Sequence, residues 1–255
     1  MTEITVGNAT SVSGDVFSAA PMPTVRRVLE VVGWLVVALL IFTGLTAIFG
    51  RAAFMSEAMS NPDMEMNIFD VRYYSNALAT FLHLGPGFLV VTLGPLQFMR
   101  NIRKKHIGFH RWSGRVYILC GAIGALSGIA IGVFDPFLGL TDQGFNEAMA
   151  TAFFAAWILF TLVMAYTRIR QKQFGAHREW MIRSFAAMLA IATERLMLTA
   201  FQATTNIEFV QLFGTTFWMA GVTNIFVAEV WINLTRTPGN GARHWKDLDS
   251  KASAS

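Results

Sequence analysis

The sequence predicts an all-α, polytopic membrane protein: six transmembrane helices in one bundle, with the N-terminus and C-terminus cytoplasmic. Three observations predict it. The chain is 54% hydrophobic and only 14% charged, where a globular domain carries roughly 25% charged residues. Six apolar segments reach the roughly 20 residues that a helix needs to cross a bilayer core of about 30 Å. The basic residues gather in alternate loops. The 22 Phe and 13 Met fit the same reading, since such side chains suit lipid and helix packing.

Residues 1–24 are rich in Ser, Thr, Gly and Ala and are expected to form a disordered cytoplasmic tail. Arg26 and Arg27 then precede an apolar run from Val28 to Gly50. A positive start resembles a secretory leader, but the run far exceeds the roughly 7–15 apolar residues of a leader core, so a retained anchor is expected. The segments fall at about 28–50, 74–99, 112–134, 147–167, 181–202 and 210–234. Together they give one transmembrane domain over 25–236, followed by a cytoplasmic tail at 237–255.

Orientation follows from Lys and Arg. Of the 20 basic residues, all but Arg51, Arg72 and Arg195 lie at the N-terminus, in the loops around 100–115 and 168–183, or in the C-terminal tail. Basic loops stay on the cytoplasmic side. The expected location is therefore integral to a membrane, the bacterial cytoplasmic (inner) membrane. The opposite loops are more acidic, and the first of them, about 51–73, is expected to be the largest and least regular. Met55, Met59, Met64 and Met66 sit there. Thioethers favour cuprous ions, but packing on the membrane surface is the simpler expectation.

The charge pattern excludes nucleic acid: there is no basic arm, stripe or zinc motif. Soluble-enzyme motifs are absent too, with no P-loop, dinucleotide fingerprint, nucleophile elbow or zincin helix. Cys120 stands alone in an apolar stretch and reads as a packing residue. The expected surroundings are the lipid bilayer, with membrane-protein partners or a homo-oligomer left open.

Two cytoplasmic loops share a pattern, Gly108-Phe109-His110-Arg111 and Gly175-Ala176-His177-Arg178. Each opens a transmembrane segment, and Arg115 and Arg183 follow about a turn later. The pattern suggests two related hairpins running in the same direction. A helix start offers free N–H groups and partial positive charge. With arginine added, it suits a phosphate, a lipid headgroup or a cofactor carboxylate. Arginines that only set topology and snorkel to headgroups are the alternative. A metal set from His106, His110 and His177 has the right ligand type.

Within the membrane, the second segment carries Asn76, Thr80, His83, Gly87, Gly94 and Gln97 on one helical face. Lipid would penalise that face, so it should look inward. His83 lies nine residues from the outer end, roughly 14 Å deep at about 1.5 Å per residue. An ionisable group there is a functional candidate. Pro86 and Pro95 should free carbonyls along the same helix. In the fifth segment, Glu194 and Arg195 need partners, because a buried lone charge costs several kcal/mol. Glu229 is placed to meet Arg115 or Arg183, and Glu179 stands four residues from Arg183, a favourable helix pair. Gly124, Gly128 and Gly132 have the spacing of a close helix contact, which also leaves room for a flat cofactor.

Several of these residues form a pattern: Leu82-His83, Leu93-Gly94-Pro95-Leu96-Gln97-Phe98, His110-Arg111-Trp112 with Gly114-Arg115-Val116-Tyr117, and His177-Arg178 with Trp180-Met181 and Arg183-Ser184. In order and spacing they resemble the membrane-protein family of domain of unknown function 2306 (DUF2306), over roughly 74–200. The resemblance implies a polytopic membrane fold and no defined activity. It marks His83, Gln97, His110, Arg111, Arg115, His177, Arg178, Trp180 and Arg183. Glu194-Arg195 stands where the resemblance expects an arginine after small or polar residues.

A looser likeness is to transmembrane b-type cytochromes, which supply two histidines per haem at matched depths. His110 and His177 match in depth; His83 has no histidine partner in the later segments. The leading expectation is a membrane redox protein binding one haem b or a quinone. His110 and His177 would be the iron ligands, or His83 would hold a quinone carbonyl, with Arg111 and Arg178 on propionates or headgroups. Arg115, Arg183, Gln97 and Arg195 complete the candidate cofactor-binding set. Two alternatives are a proton-coupled small-solute transporter using His83, Gln97 and Arg195, and a non-enzymatic assembly or structural protein. The sequence leaves open whether the chain is an enzyme.

Overall fold

A computed structural model describes residues 23–61 and 63–236. Among these residues every regular element is helical: α1 (Pro23–Ser60), α2 (Ile68–Ser75), α3 (Ala77–Phe98), α4 (Arg100–Lys105), α5 (Ile107–Gly132), α6 (Asp142–Arg170), α7 (Phe174–Met188), α8 (Ala190–Thr204) and α9 (Phe209–Thr235). Six helical spans are long and apolar enough to cross a membrane; one of them is α7 and α8 in succession. The predicted all-α architecture with six spans holds among the described residues. The expected tails lie outside the described residues, except that Pro23 and Thr24 open α1, where proline at a first helical position costs nothing.

The first outer loop departs from expectation. Instead of an irregular stretch at 51–73, α1 runs on to Ser60 and α2 follows at Ile68. The sequence Arg51-Ala-Ala-Phe-Met-Ser-Glu-Ala-Met59 is made of good helix formers, and nothing breaks it until Pro62. At about 1.5 Å per residue α1 is roughly 57 Å long, far beyond the bilayer core. Its extension folds Met55 completely into the protein, while Met59 is exposed, so the methionines do not share one environment. α2 starts on Asn67, whose side chain accepts the Asp70 N–H at 2.9 Å, a normal N-cap.

α3 carries Pro86 and Pro95 without breaking. Each proline removes one intrahelical donor. α4 occupies the basic loop. α5 begins at Ile107, earlier than expected, so His110 lies inside its first turn. α6 likewise starts early, at Asp142, which makes Glu147 a helical, buried residue instead of a loop acid. The fifth span is interrupted at Leu189, where Ala192 N–H bonds the Leu189 carbonyl three residues back.

α3 packs on α5, α6 on α5, α7 and α9, and α8 on α9. α1 leans on α3 and α8 and keeps much of its surface free, with Leu35 and Phe42 exposed. That is the exposure expected of lipid-facing residues. The principal core joins Val90, Tyr117, Cys120, Leu162, Met181, Phe185 and Leu189. A second, aromatic core joins Phe69, Phe137, Phe209 and Phe213. Gly94 permits the first: a Cβ there would stand 2.3 Å from the Phe185 ring.

Candidate functional site

Between α1, α3, α5, α6, α8 and α9 lies a cavity of about 570 Å³. It has an apolar body and a polar end. The body is walled by short side chains, among them Gly44 and Ala47 of α1, Gly121 and Gly124 of α5, and Ala192 of α8. Small residues explain why space remains. A Cβ on Gly124 would meet nothing within 4 Å. The expected glycine contact of α5 is therefore divided: Gly132 packs on Thr151, Gly128 faces the His83 ring, and Gly124 opens on the cavity.

The polar end is built by α1, α2, α6 and α8. Arg51 donates to Asp70 at 2.5 Å and lies 4.2 Å from the centre of the Tyr73 ring. Arg72 donates to Glu147 Oε1 at 2.5 Å and to the Tyr73 hydroxyl at 3.1 Å. Both members of the Arg72–Glu147 pair are buried. Burial works against the Arg72 charge, and Tyr73 and Glu147 outweigh it, so its pKa rises. The Phe137 backbone N–H also stabilises the Glu147 carboxylate, although Oε2 has no donor in hydrogen-bond geometry.

Arg195 is the more available cation. Its Nε lies 3.5 Å from Glu194 Oε2, and its side chain is 29% exposed. Its guanidinium sits 5.5 Å from the Phe213 ring centre and 6.0 Å from that of Phe69. Its terminal nitrogens make no hydrogen bond among the described residues. Glu194 is fully buried and accepts from Thr216 at 3.4 Å. The sequence expectation of a partner for Arg195 is met by its own neighbour.

His83 looks inward, as expected, and lines the cavity. Its Nδ1 lies 2.9 Å from the Gly124 carbonyl and 3.4 Å from the Ser127 hydroxyl. Thr80 turns its hydroxyl to the Tyr73 carbonyl. Gln97, from the same face, does not reach the cavity. It is buried near the other end of α3 and donates to the Ser113 hydroxyl at 2.8 Å.

The residues of the basic loops form a separate group. His110 is within electrostatic reach of His177, Arg103 and Arg111, and its Nδ1 is buried without a hydrogen bond. His177 Nδ1 bonds the Ala165 carbonyl at 2.9 Å. Neither histidine lines the cavity. Arg178 donates to Thr235 at 3.3 Å, and Arg115 and Arg111 are exposed. Arg183 clasps Glu229 with bonds of 2.5 and 2.9 Å and stacks on Trp180. Glu179 does not pair with Arg183 as its spacing suggested; it takes Arg236. The longer-range partners win because the C-terminal end of α9, with Glu229 and Arg236, lies against α7. Among the described residues no three His, Cys, Asp or Glu gather as a metal set, so His106, His110 and His177 do not form one.

Residues 80–232, more than half of the chain, match the family model described as "Predicted membrane protein (DUF2306)". The chain belongs to the DUF2306 family. No curated protein and no solved structure matches it. In this DUF2306 protein the match covers His83, Glu147 and Arg195 but starts after Arg51, Asp70, Arg72 and Tyr73. Sequence reasoning missed those four, and Glu147, as site residues. One feature pointed to them: Arg51 and Arg72 are the two loop arginines that break the basic bias.

Proposed function

We propose that this DUF2306 protein binds a lipophilic molecule of the quinone type within the helix bundle, as a component of membrane redox chemistry. The observation that carries the reading is one cavity, inside the bundle, that joins His83 to the guanidinium of Arg195, whose terminal nitrogens make no hydrogen bond among the described residues. Its volume lies within the roughly 300–1,000 Å³ of small-molecule sites. The apolar body suits a ring and the start of an isoprenoid tail. The head, an oxygen-bearing ring, would take hydrogen bonds from Arg195. The excess of basic residues in alternate loops supports placement in a bacterial cytoplasmic membrane with both termini inside.

A haem b between His110 and His177 has less support, since neither residue faces the cavity. The transport reading loses one of its three path residues, because Gln97 is engaged with Ser113.

The test is organic extraction of protein purified from quinone-replete membranes, with mass spectrometry of the extract and an optical spectrum of the protein. Co-purifying quinone, or saturable binding of added decylbenzoquinone that weakens in Arg195→Ala, is the expected result. A preparation that holds no quinone and binds none overturns the proposal. A Soret band lost in His110→Ala would replace it with the haem reading.

A further inference from the structure

We infer that the cavity prefers the reduced, hydroxyl-bearing form of its occupant, the hydroquinone, and that His83 makes the choice. This rests on the quinone-type reading above. A carbonyl oxygen only accepts hydrogen bonds, so the 2.9 Å contact with Gly124 O requires the proton on His83 Nδ1. In the neutral imidazole Nε2 then holds the lone pair and can only accept. Among the described residues no group bonds Nε2. His83, which lines the cavity, therefore carries a free acceptor.

A quinone carbonyl is also an acceptor, and two acceptors facing each other gain nothing. A hydroquinone hydroxyl donates to Nε2 directly. Arg195 does not favour the hydroquinone, because a carbonyl oxygen accepts from its N–H groups at least as well as a hydroxyl oxygen does. The selectivity therefore falls on His83. The tautomer is held by the backbone of α5, at a glycine whose missing side chain helps to form the space.

The experiment uses the full chain in lipid nanodiscs under anaerobic conditions. Decylhydroquinone, decylbenzoquinone and the dimethyl ether of the hydroquinone compete against a labelled quinone. Wild-type protein should bind the hydroquinone about tenfold tighter than either of the others, the value of roughly one good hydrogen bond. His83→Phe should lose this preference while still binding the quinone. Equal affinity for hydroquinone and quinone in the wild type overturns the inference and leaves the quinone-type reading intact. Binding of none of the three overturns that reading itself. A preference that survives in His83→Phe removes His83 from the role. If His83→Phe fails to fold, the wild-type comparison with the dimethyl ether still decides, since only the hydroquinone can donate.

Discussion

Gly124→Leu should narrow the cavity beside His83 without unfolding the protein. A Cβ at Gly124 meets no atom within 4 Å, so the new side chain projects into the space instead of into a neighbour. Leucine adds four carbons. If each takes up about the 30 Å³ share of a liquid water, the loss is roughly 120 Å³, about a fifth of the 570 Å³. The loss falls beside His83, whose Nδ1 bonds the Gly124 carbonyl. Crowding of this kind costs about 1–3 kcal/mol, which weakens binding by about 5- to 150-fold. Helix propensity moves the other way, since glycine in a helix interior is about 0.8–1 kcal/mol worse than alanine. Thermal unfolding in detergent should therefore occur at or above the wild-type temperature. Gly94→Ala is the control: its Cβ would lie 2.3 Å from the Phe185 ring, so it should lower the unfolding temperature. The paired assays are thermal unfolding and equilibrium binding of a labelled quinone. Wild-type affinity in a folded Gly124→Leu protein would refute the reasoning, because the cavity would not be where the ligand sits.

Other outcomes follow from the same contacts. Arg72→Met alone should destabilise by about 3–5 kcal/mol, because it strands the buried Glu147 carboxylate; Arg72→Met with Glu147→Leu should recover most of that loss in denaturant titrations, and a double variant as unstable as the single one would contradict the pairing. Cys120 is nearly buried and lines the cavity, so a membrane-permeant maleimide should label it slowly, and slower still with decylbenzoquinone present, by mass spectrometry. Arg183→Met should loosen α7 from α9 by removing the bidentate contact with Glu229; hydrogen exchange should rise at those two helix ends and stay unchanged around His83.

Much of the fold was legible because the bilayer imposes it: apolar length and basic bias place six spans whatever the packing. The inward aspect of His83 followed from helical periodicity, and depth narrowed the partner of Glu229 to Arg115 or Arg183, of which Arg183 is taken. What was not legible depends on tertiary choices that local pattern does not encode. Gly124 and Gly132 share a spacing and both line the cavity, yet a Cβ has free space at Gly124 and would strike Thr151 at Gly132. Gln97 shares a helical face with His83, but nearly four turns of α3 carry it to a different neighbour, Ser113. Arg72 and Glu147 are 75 positions apart, and no spacing rule joins them. The extension of α1 was hidden because residues 51–60 are helix formers too polar to read as membrane-spanning.

The N-terminal pair α1 and α2 has an evolutionary consequence. Arg51, Asp70, Arg72 and Tyr73 reach the cavity from chain that precedes the family match, whereas His83 and Arg195 belong to it. The family-matched chain thus supplies His83 and Arg195, and the chain before residue 80 supplies Arg51, Asp70, Arg72 and Tyr73 of the polar end as well as part of the body's wall. Variation confined to that first stretch would reshape the head of the cavity and leave His83 and Arg195 in place.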